Sequence, residues 1–372
     1  MDCRSIPRCG VKIWNRRGTN RVLAARSPGI KDLRLVRAYA FRVSLKSDLP
    51  TGESDAMPAR PVLIPLASAL LLVAAASALA QDKGAVEPKD LPPLSNPSDP
   101  KLPAKELFAR RLLPTAGPPR VIGSYVKGCI AGAEEMPITG DTWQVMRLSR
   151  NRNWGHPDLV ALLKRLSRHA HKDAGWPGIL VGDMGQPRGG PMLTGHASHQ
   201  IGIDADIWLT PMPDHLLSRG EREEMSATMM VRDDRLDVDP KAWTPEHLAV
   251  IRDAALEPSV QRIFVNAAIK KALCREAKGE RSWLSKVRPW YGHDYHFHIR
   301  MRCPSGNGQC EGQPEQSGDD GCAPSELGYW FKDEILHPPP PKEPPKPRPP
   351  ITLAQLPAAC KQVLNAPNAK RK

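Results

Sequence analysis

The eleven residues His293-Asp294-Tyr295-His296-Phe297-His298-Ile299-Arg300-Met301-Arg302-Cys303 leave the backbone little choice. At period two, Tyr295, Phe297, Ile299 and Met301 fall on one side, and His296, His298, Arg300 and Arg302 on the other. Successive side chains of a strand point to opposite faces. The pattern therefore predicts a strand with an apolar back and a front of imidazoles and guanidiniums. An apolar back needs a covering layer. With 40% of its 372 residues hydrophobic, the chain has enough apolar surface for a packed core, which excludes wholesale disorder.

A second window, Gly195–Leu209 (GHASHQIGIDADIWL), alternates in the same way. Ile203, Ala205, Ile207 and Leu209 face one side; Asp204 and Asp206 face the other. Two neighbouring strands of this kind would present imidazoles and a carboxylate to one cleft. Five of the eleven histidines lie in these two windows: His196, His199, His293, His296 and His298. A lone histidine reads as a surface group. Five in two windows, with a matching Asp, read as a metal site. Catalytic zinc takes three protein ligands of this type and keeps a further position for water.

The rest of the pattern mixes strands and helices without a regular βαβ rhythm. Val121–Val126, Asp141–Leu148, Gly178–Gly182 and Gln261–Val265 read as strands. Pro157-Asp158 opens a helix with Leu159, Leu162, Leu163 and Leu166 on one face and Gly175 beyond its end. Thr244-Pro245-Glu246 opens another, and Ala267–Glu276 a third. The expected fold class is α+β: one domain with a central, mainly antiparallel sheet flanked by helices and stabilised by disulfides. A doubly wound sheet is the alternative, but a Gly-rich phosphate turn is missing.

Residues 57–80 carry the signature of an export signal: Arg60, an apolar run from Val62 to Ala76, and Ala78-Leu79-Ala80 before Gln81. Residues 1–56 are then expected to be an over-long gene start. They hold twelve Lys and Arg against five Asp and Glu, so +7 of the total +13. Arg60 adds one more, and the part from Gln81 onward is mildly basic at +5. That suits contact with an acidic polymer and does not demand nucleic acid. No stable membrane anchor is expected. Residues 81–118 read as an irregular lead-in, 119–337 as the folded domain, 338–350 (PPPPKEPPKPRPP) as a stiff spacer, and 351–372 as a tail. Six cysteines follow the signal, an even number in an exported chain, which points to disulfides. Without a C-x-x-C pair, a thiolate zinc site is disfavoured. Cys303 and Cys310 are the easiest local pair, and Cys360 suggests a tail tied back to the body.

The spacing His199-x6-Asp206, followed far downstream by His296-x-His298, resembles the zinc peptidases that include lysostaphin, the D-Ala-D-Ala metallopeptidases and the hedgehog fold. With GHASHQIGIDADIWL and RPWYGHDYHFHIRMRCP, the chain looks like one branch of these, the penicillin-insensitive murein endopeptidases, from about Val121 to Cys360. The resemblance implies zinc ligands at His199, Asp206 and His298. It gives His296 a role on water or on the transition state, with His293 beside it, and places His196 close to the metal. A second ion is left open. Arg232–Asp237 (RDDRLD) offers it carboxylates, with Asp233 the nearest candidate. The family cysteine pairs, carried over by position, are Cys129–Cys360, Cys274–Cys322 and Cys303–Cys310.

The implied substrate is peptidoglycan, at the bond joining D-alanine to the side-chain amine of meso-diaminopimelate, and the implied setting is the periplasm. Arg300 reads either as a partner for a substrate carboxylate or as a structural cation. Acylation of a serine is not expected. Ser98-Asp99-Pro100-Lys101 lies in the lead-in, and Pro100 disfavours the helix that an S-x-x-K motif needs. Two other functions are compatible with the same ligands: a zinc D,D-carboxypeptidase or dipeptidase, and a zinc-holding wall-binding protein without turnover. His169 and His171 read as structural groups near a helix end. His156, His215, His247 and His337 read as isolated surface groups. Trp283, Trp290 and Tyr291 are candidates for the core or the cleft wall.

Overall fold

The two alternating windows form adjacent strands, and their pairing organises the molecule. The computed structural model describes residues 90–370 except Ser317 and residues 342–348. The expected gene start, the export signal, the first part of the lead-in and most of the proline-rich spacer lie outside the described residues. In chain order the strands are β1 (Arg120–Ser124), β2 (Lys127–Ala131), β3 (Glu134–Glu135), β4 (Thr139–Gly140), β5 (Trp143–Val145), β6 (Trp154–Gly155), β7 (Ile179–Val181), β8 (Asp204–Trp208), β9 (Val260–Val265), β10 (Val287–Pro289) and β11 (His296–Met301). A seven-stranded sheet runs β10-β9-β11-β8-β7-β5-β4. It is antiparallel except for the β10/β9 and β5/β7 pairs. This is the expected α+β, mainly antiparallel arrangement.

Strand β11 lies between β9 and β8. Its register on β8 sets Phe297 against Ile207, His298 against Asp206, Ile299 against Ala205 and Arg300 against Asp204. Because side chains alternate, this one register sends two opposite chemistries to two opposite faces. Phe297, Ile299, Ile203, Ala205, Ile207 and Leu209 are completely buried in the main core. Leu159, Leu162, Leu163 and Leu166 of helix Pro157–Asp173 join them, as do Val250, Ile251 and Ala254 of helix Pro245–Leu256. At about 25 cal/mol per Å² of apolar surface removed from water, the Val, Leu, Ile and Phe side chains among them contribute roughly 1.5–3 kcal/mol each.

Two histidines expected on the surface are buried instead. His156 is the N-cap of helix Pro157–Asp173, and its Nδ1 accepts from the Asp158 N–H at 3.2 Å. His247 Nδ1 accepts from the Thr244 N–H at 3.0 Å, while its Nε2 donates to the Leu209 carbonyl at 2.9 Å. The two bonds require the neutral Nε2–H tautomer, and burial pushes the His247 pKa down in agreement. His247 thus tethers a helix to the residue after β8. His215 and His337 are exposed.

The lead-in is not wholly irregular. Helix Ala104–Phe108 inserts Phe108, completely buried, into a second small core with Ile122, Leu356 and Leu364. Gly190 makes room for it: a Cβ there would lie 2.3 Å from the Phe108 ring, and the backbone sits at φ +76°. The tail from Ile351 onward is held on the same core. Arg188, buried, donates to the carbonyls of Val363 at 2.6 Å and Leu364 at 2.8 Å. Sulfur bridges join Cys129 to Cys360, Cys274 to Cys322 and Cys303 to Cys310. Replacing Cys129 and Cys360 together by Ser is expected to lower the unfolding free energy by about 2–5 kcal/mol, because the bridge closes a long loop in the unfolded chain. Urea titration under non-reducing conditions measures it, and limited proteolysis should first release the C-terminal helix.

Candidate metal centre

Residues 199–204 bring the first ligands into place through a tight turn. His199 sits at φ +65° and Gly202 at φ +68°. A left-handed backbone costs a residue with a Cβ roughly 1–2 kcal/mol, and here the His199 N–H is held by Asp204 Oδ2 at 3.3 Å. His293 carries the same kind of strain at φ +56°. Two of the five window histidines are therefore held in conformations that a free chain would avoid.

Asp206 is the meeting point. Its Oδ1 lies 3.1 Å from His298 Nδ1, 3.4 Å from His199 Nε2 and 3.7 Å from His296 Nε2. Its Oδ2 lies 3.3 Å from His196 Nε2. The His293 ring stands 4.8 Å from that of His296, centroid to centroid. The structure thus gathers His196, His199, Asp206, His293, His296 and His298, although ~100 residues separate the windows in the chain. Asp233, the candidate carboxylate for any second ion, is exposed and stands in neither His/Asp grouping found among the described residues.

Burial sets the protonation states. Burial pushes His296 and His199 down despite Asp206, so both are neutral imidazoles near neutral pH. Burial, reinforced by His296, lowers His293 to about 4. Its Nδ1 donates to the Tyr291 carbonyl at 2.8 Å, which leaves Nε2 with a lone pair. Burial also opposes charge on His298, but Asp204 and Asp206 pull it up to about 9. For Asp206, burial favours the acid, yet His199 and His296 hold it well below the ordinary carboxylate range.

The sequence reading did not single out Asp204, which anchors the site. It is completely buried. It receives both arms of Arg300, Nε at 3.1 Å and Nη2 at 3.0 Å, and lies 3.4 Å from His298 Nε2. Arg300 is thus a structural cation, buried beneath the site, and not the reader of a substrate carboxylate. The signal was present: in an antiparallel pair that sets His298 opposite Asp206, the residues two further along also meet. Asp183, just past β7, was missed too. Its Oδ2 receives Arg152 at 2.8 Å, Arg150 at 3.1 Å and His196 at 3.1 Å.

The donor set fits a divalent metal. His199 is completely buried, yet neither of its ring nitrogens makes a well-aligned hydrogen bond, and Asp206 Oδ1 makes none either although His298 Nδ1 and His199 Nε2 lie 3.1 and 3.4 Å from it. Orphaned buried groups of this kind cost about 1–3 kcal/mol each, and a cation between them would satisfy both. Ligand atoms of His196, His199 and Asp206 all lie within 4.8 Å of one another. Imidazole with carboxylate suits a transition-metal ion. The arrangement faces a cavity of about 260 Å³ bounded by Arg147, Arg150, Trp208, Tyr295 and His296. Trp283 is buried in the core, whereas Trp290 and Tyr291 are exposed beside His293.

Residues 121–365 match the model of the Peptidase M74 family, described as penicillin-insensitive murein endopeptidase. The chain is similar to the penicillin-insensitive murein endopeptidase of Haemophilus influenzae, 44% identical over 254 residues, which are 67% of this chain and 84% of that protein. It is 43% identical to the Pectobacterium atrosepticum protein of the same name over 259 residues, 69% of this chain and 88% of that one. A Klebsiella pneumoniae relative, again of that name, is 42% identical over 256 residues, 68% of this chain and 88% of that protein. With most of its folded part matched in this way, the chain belongs to the penicillin-insensitive murein endopeptidase family.

Proposed function

We propose that this chain is a zinc-dependent endopeptidase that hydrolyses the amide between D-alanine and the side-chain amine of meso-diaminopimelate in murein cross-links. One observation carries the reading. In a chain of this family, an unpartnered buried imidazole and an unpartnered carboxylate oxygen face each other beside a neutral histidine. His199, Asp206 and His298 would hold the zinc ion, with His196 on the other Asp206 oxygen. When bound, zinc supplies Lewis acidity and makes hydroxide available near neutral pH.

The chain's own residues supply the rest. His298, an imidazolium beside its two carboxylates, would give up the Nδ1 proton to ligate the ion, while Asp204, itself clamped by Arg300, stands 3.4 Å behind its Nε2, the usual arrangement of an outer carboxylate behind a ligating imidazole. His296, kept neutral by burial, accepts the proton of the attacking water at Nε2 and returns it to the departing amine. His293 packs against His296 and offers Nε2 to orient it or to steady the developing charge. No serine need be acylated, which accounts for insensitivity to penicillin. The export signal read at residues 57–80 and the three disulfides support a periplasmic setting.

Incubation of the purified protein with cross-linked dimeric muropeptides is expected to yield monomers, and a chelator should abolish the conversion. Loss of terminal D-alanine alone would replace this reading by a carboxypeptidase. His296→Ala is expected to keep its metal and lose ~100-fold or more in kcat, whereas His199→Ala and Asp206→Ala lose both metal and activity. Elemental analysis beside the muropeptide assay separates the two classes. Asp204→Asn should weaken metal binding by roughly 10–100-fold, read by competition with a chromogenic chelator. It should also destabilise the fold by about 3–5 kcal/mol, because Arg300 is left buried without its counter-charge.

A further inference from the structure

Among the described residues, four arginines surround the candidate centre, and three are each held by several partners. Arg300 is clamped on Asp204 and donates to Gln313. Arg152 binds Asp183 and the Thr194 carbonyl, both at 2.8 Å. Arg147 donates to the carbonyls of Glu223 and Met225 and lies 5.3 Å above the Trp208 ring. Arg150 differs. Its side chain is 45% exposed, and it borders the same cavity as His196, Asp206 and His296. Its guanidinium makes one hydrogen bond among the described residues, to Asp183 Oδ2 at 3.1 Å. That oxygen already receives Arg152 and His196. Arg150 is a third donor on a crowded acceptor, and the other N–H groups of its guanidinium make no hydrogen bond among the described residues.

We infer that Arg150 binds a substrate carboxylate on the amine side of the scissile amide, a specificity contact that rests on the murein reading above. The chemistry is specific. In a diaminopimelate cross-link the carbon bearing the scissile nitrogen also bears a carboxylate; inside an ordinary peptide chain that carbon bears an amide carbonyl. His296 returns the proton to the departing amine, and Arg150 borders the cavity that His296 faces. The leaving group therefore carries its carboxylate into this cavity. Guanidinium and carboxylate match in fork geometry. A stem peptide ending in D-Ala-D-Ala carries the same carboxylate beside its last amide, so the test must tell the two sources apart.

Three substrates decide it: a cross-linked dimer with the acceptor diaminopimelate carboxylate free, the same dimer with that group as carboxamide, and a monomeric pentapeptide. The parent protein is expected to favour the free-acid dimer over the carboxamide by about 10–100-fold in kcat/KM, the worth of a charge-assisted contact. Arg150→Met should bring the two dimers to near parity, mostly through KM, and Arg150→Lys should keep part of the preference. A parent without preference overturns the inference while the endopeptidase reading stands. So does an equal loss on both dimers in Arg150→Met, since a merely structural role would slow both alike. Faster cleavage of the pentapeptide than of either dimer overturns the cross-link source of the carboxylate and the endopeptidase reading with it.

Discussion

The pairing of β8 with β11 is the constraint on which the rest depends. One register sets Arg300 opposite Asp204 and His298 opposite Asp206, while on the apolar side it sets Ile299 opposite the small Ala205 and Phe297 opposite Ile207. A slip of β11 by one residue would turn His296 and His298 into the core and Phe297 and Ile299 into the cleft. Such an error has a steep cost on both faces, through apolar exposure and through buried charge without a partner. The buried Asp204–Arg300 pair specifies the register from the polar side as firmly as Phe297 and Ile207 do from the apolar side.

The site itself opposes stability. His199 and His293 hold left-handed backbones, and both ring nitrogens of His199 and one carboxylate oxygen of Asp206 lack well-aligned hydrogen bonds. Several kcal/mol of unfavourable free energy sit within one cleft, on the order of 1–3 kcal/mol for each feature. The remainder of the fold offsets this. The main core covers the back of the sheet, helix Ala104–Phe108 and the tail share a second core, and three bridges restrain the chain. A centre preorganised in this way needs little rearrangement on taking up an ion or a substrate, which is the condition for fast chemistry at a fixed geometry.

Much of this was legible in the residues alone. The alternation of Tyr295–Met301 and Ile203–Leu209 identified both central strands and the face carrying the chemistry. The helix over Pro157–Asp173 starts where Pro157 stands and gives way just before Gly175, as its end signals indicated. What escaped was the role of polar groups whose partners are remote in the chain. His156 and His247 look isolated in sequence, yet each is a buried cap or tether. Arg300 stayed open between substrate contact and structural cation because nothing in its own segment betrays that Asp204, 96 residues away, claims it. Asp183 carries no motif, and its importance comes from three donors delivered by other segments.

By itself, then, the sequence determined which residues alternate, where helices begin, and which imidazoles and carboxylates share a strand face. Those properties follow from the geometry of one chain segment and need no neighbour. Only the tertiary structure decided which cation neutralises which carboxylate, and therefore which arginine is left over to face the cavity. Burial and long-range register settle that competition, because a buried charge must be paired within a few ångströms and only the folded chain determines what stands there.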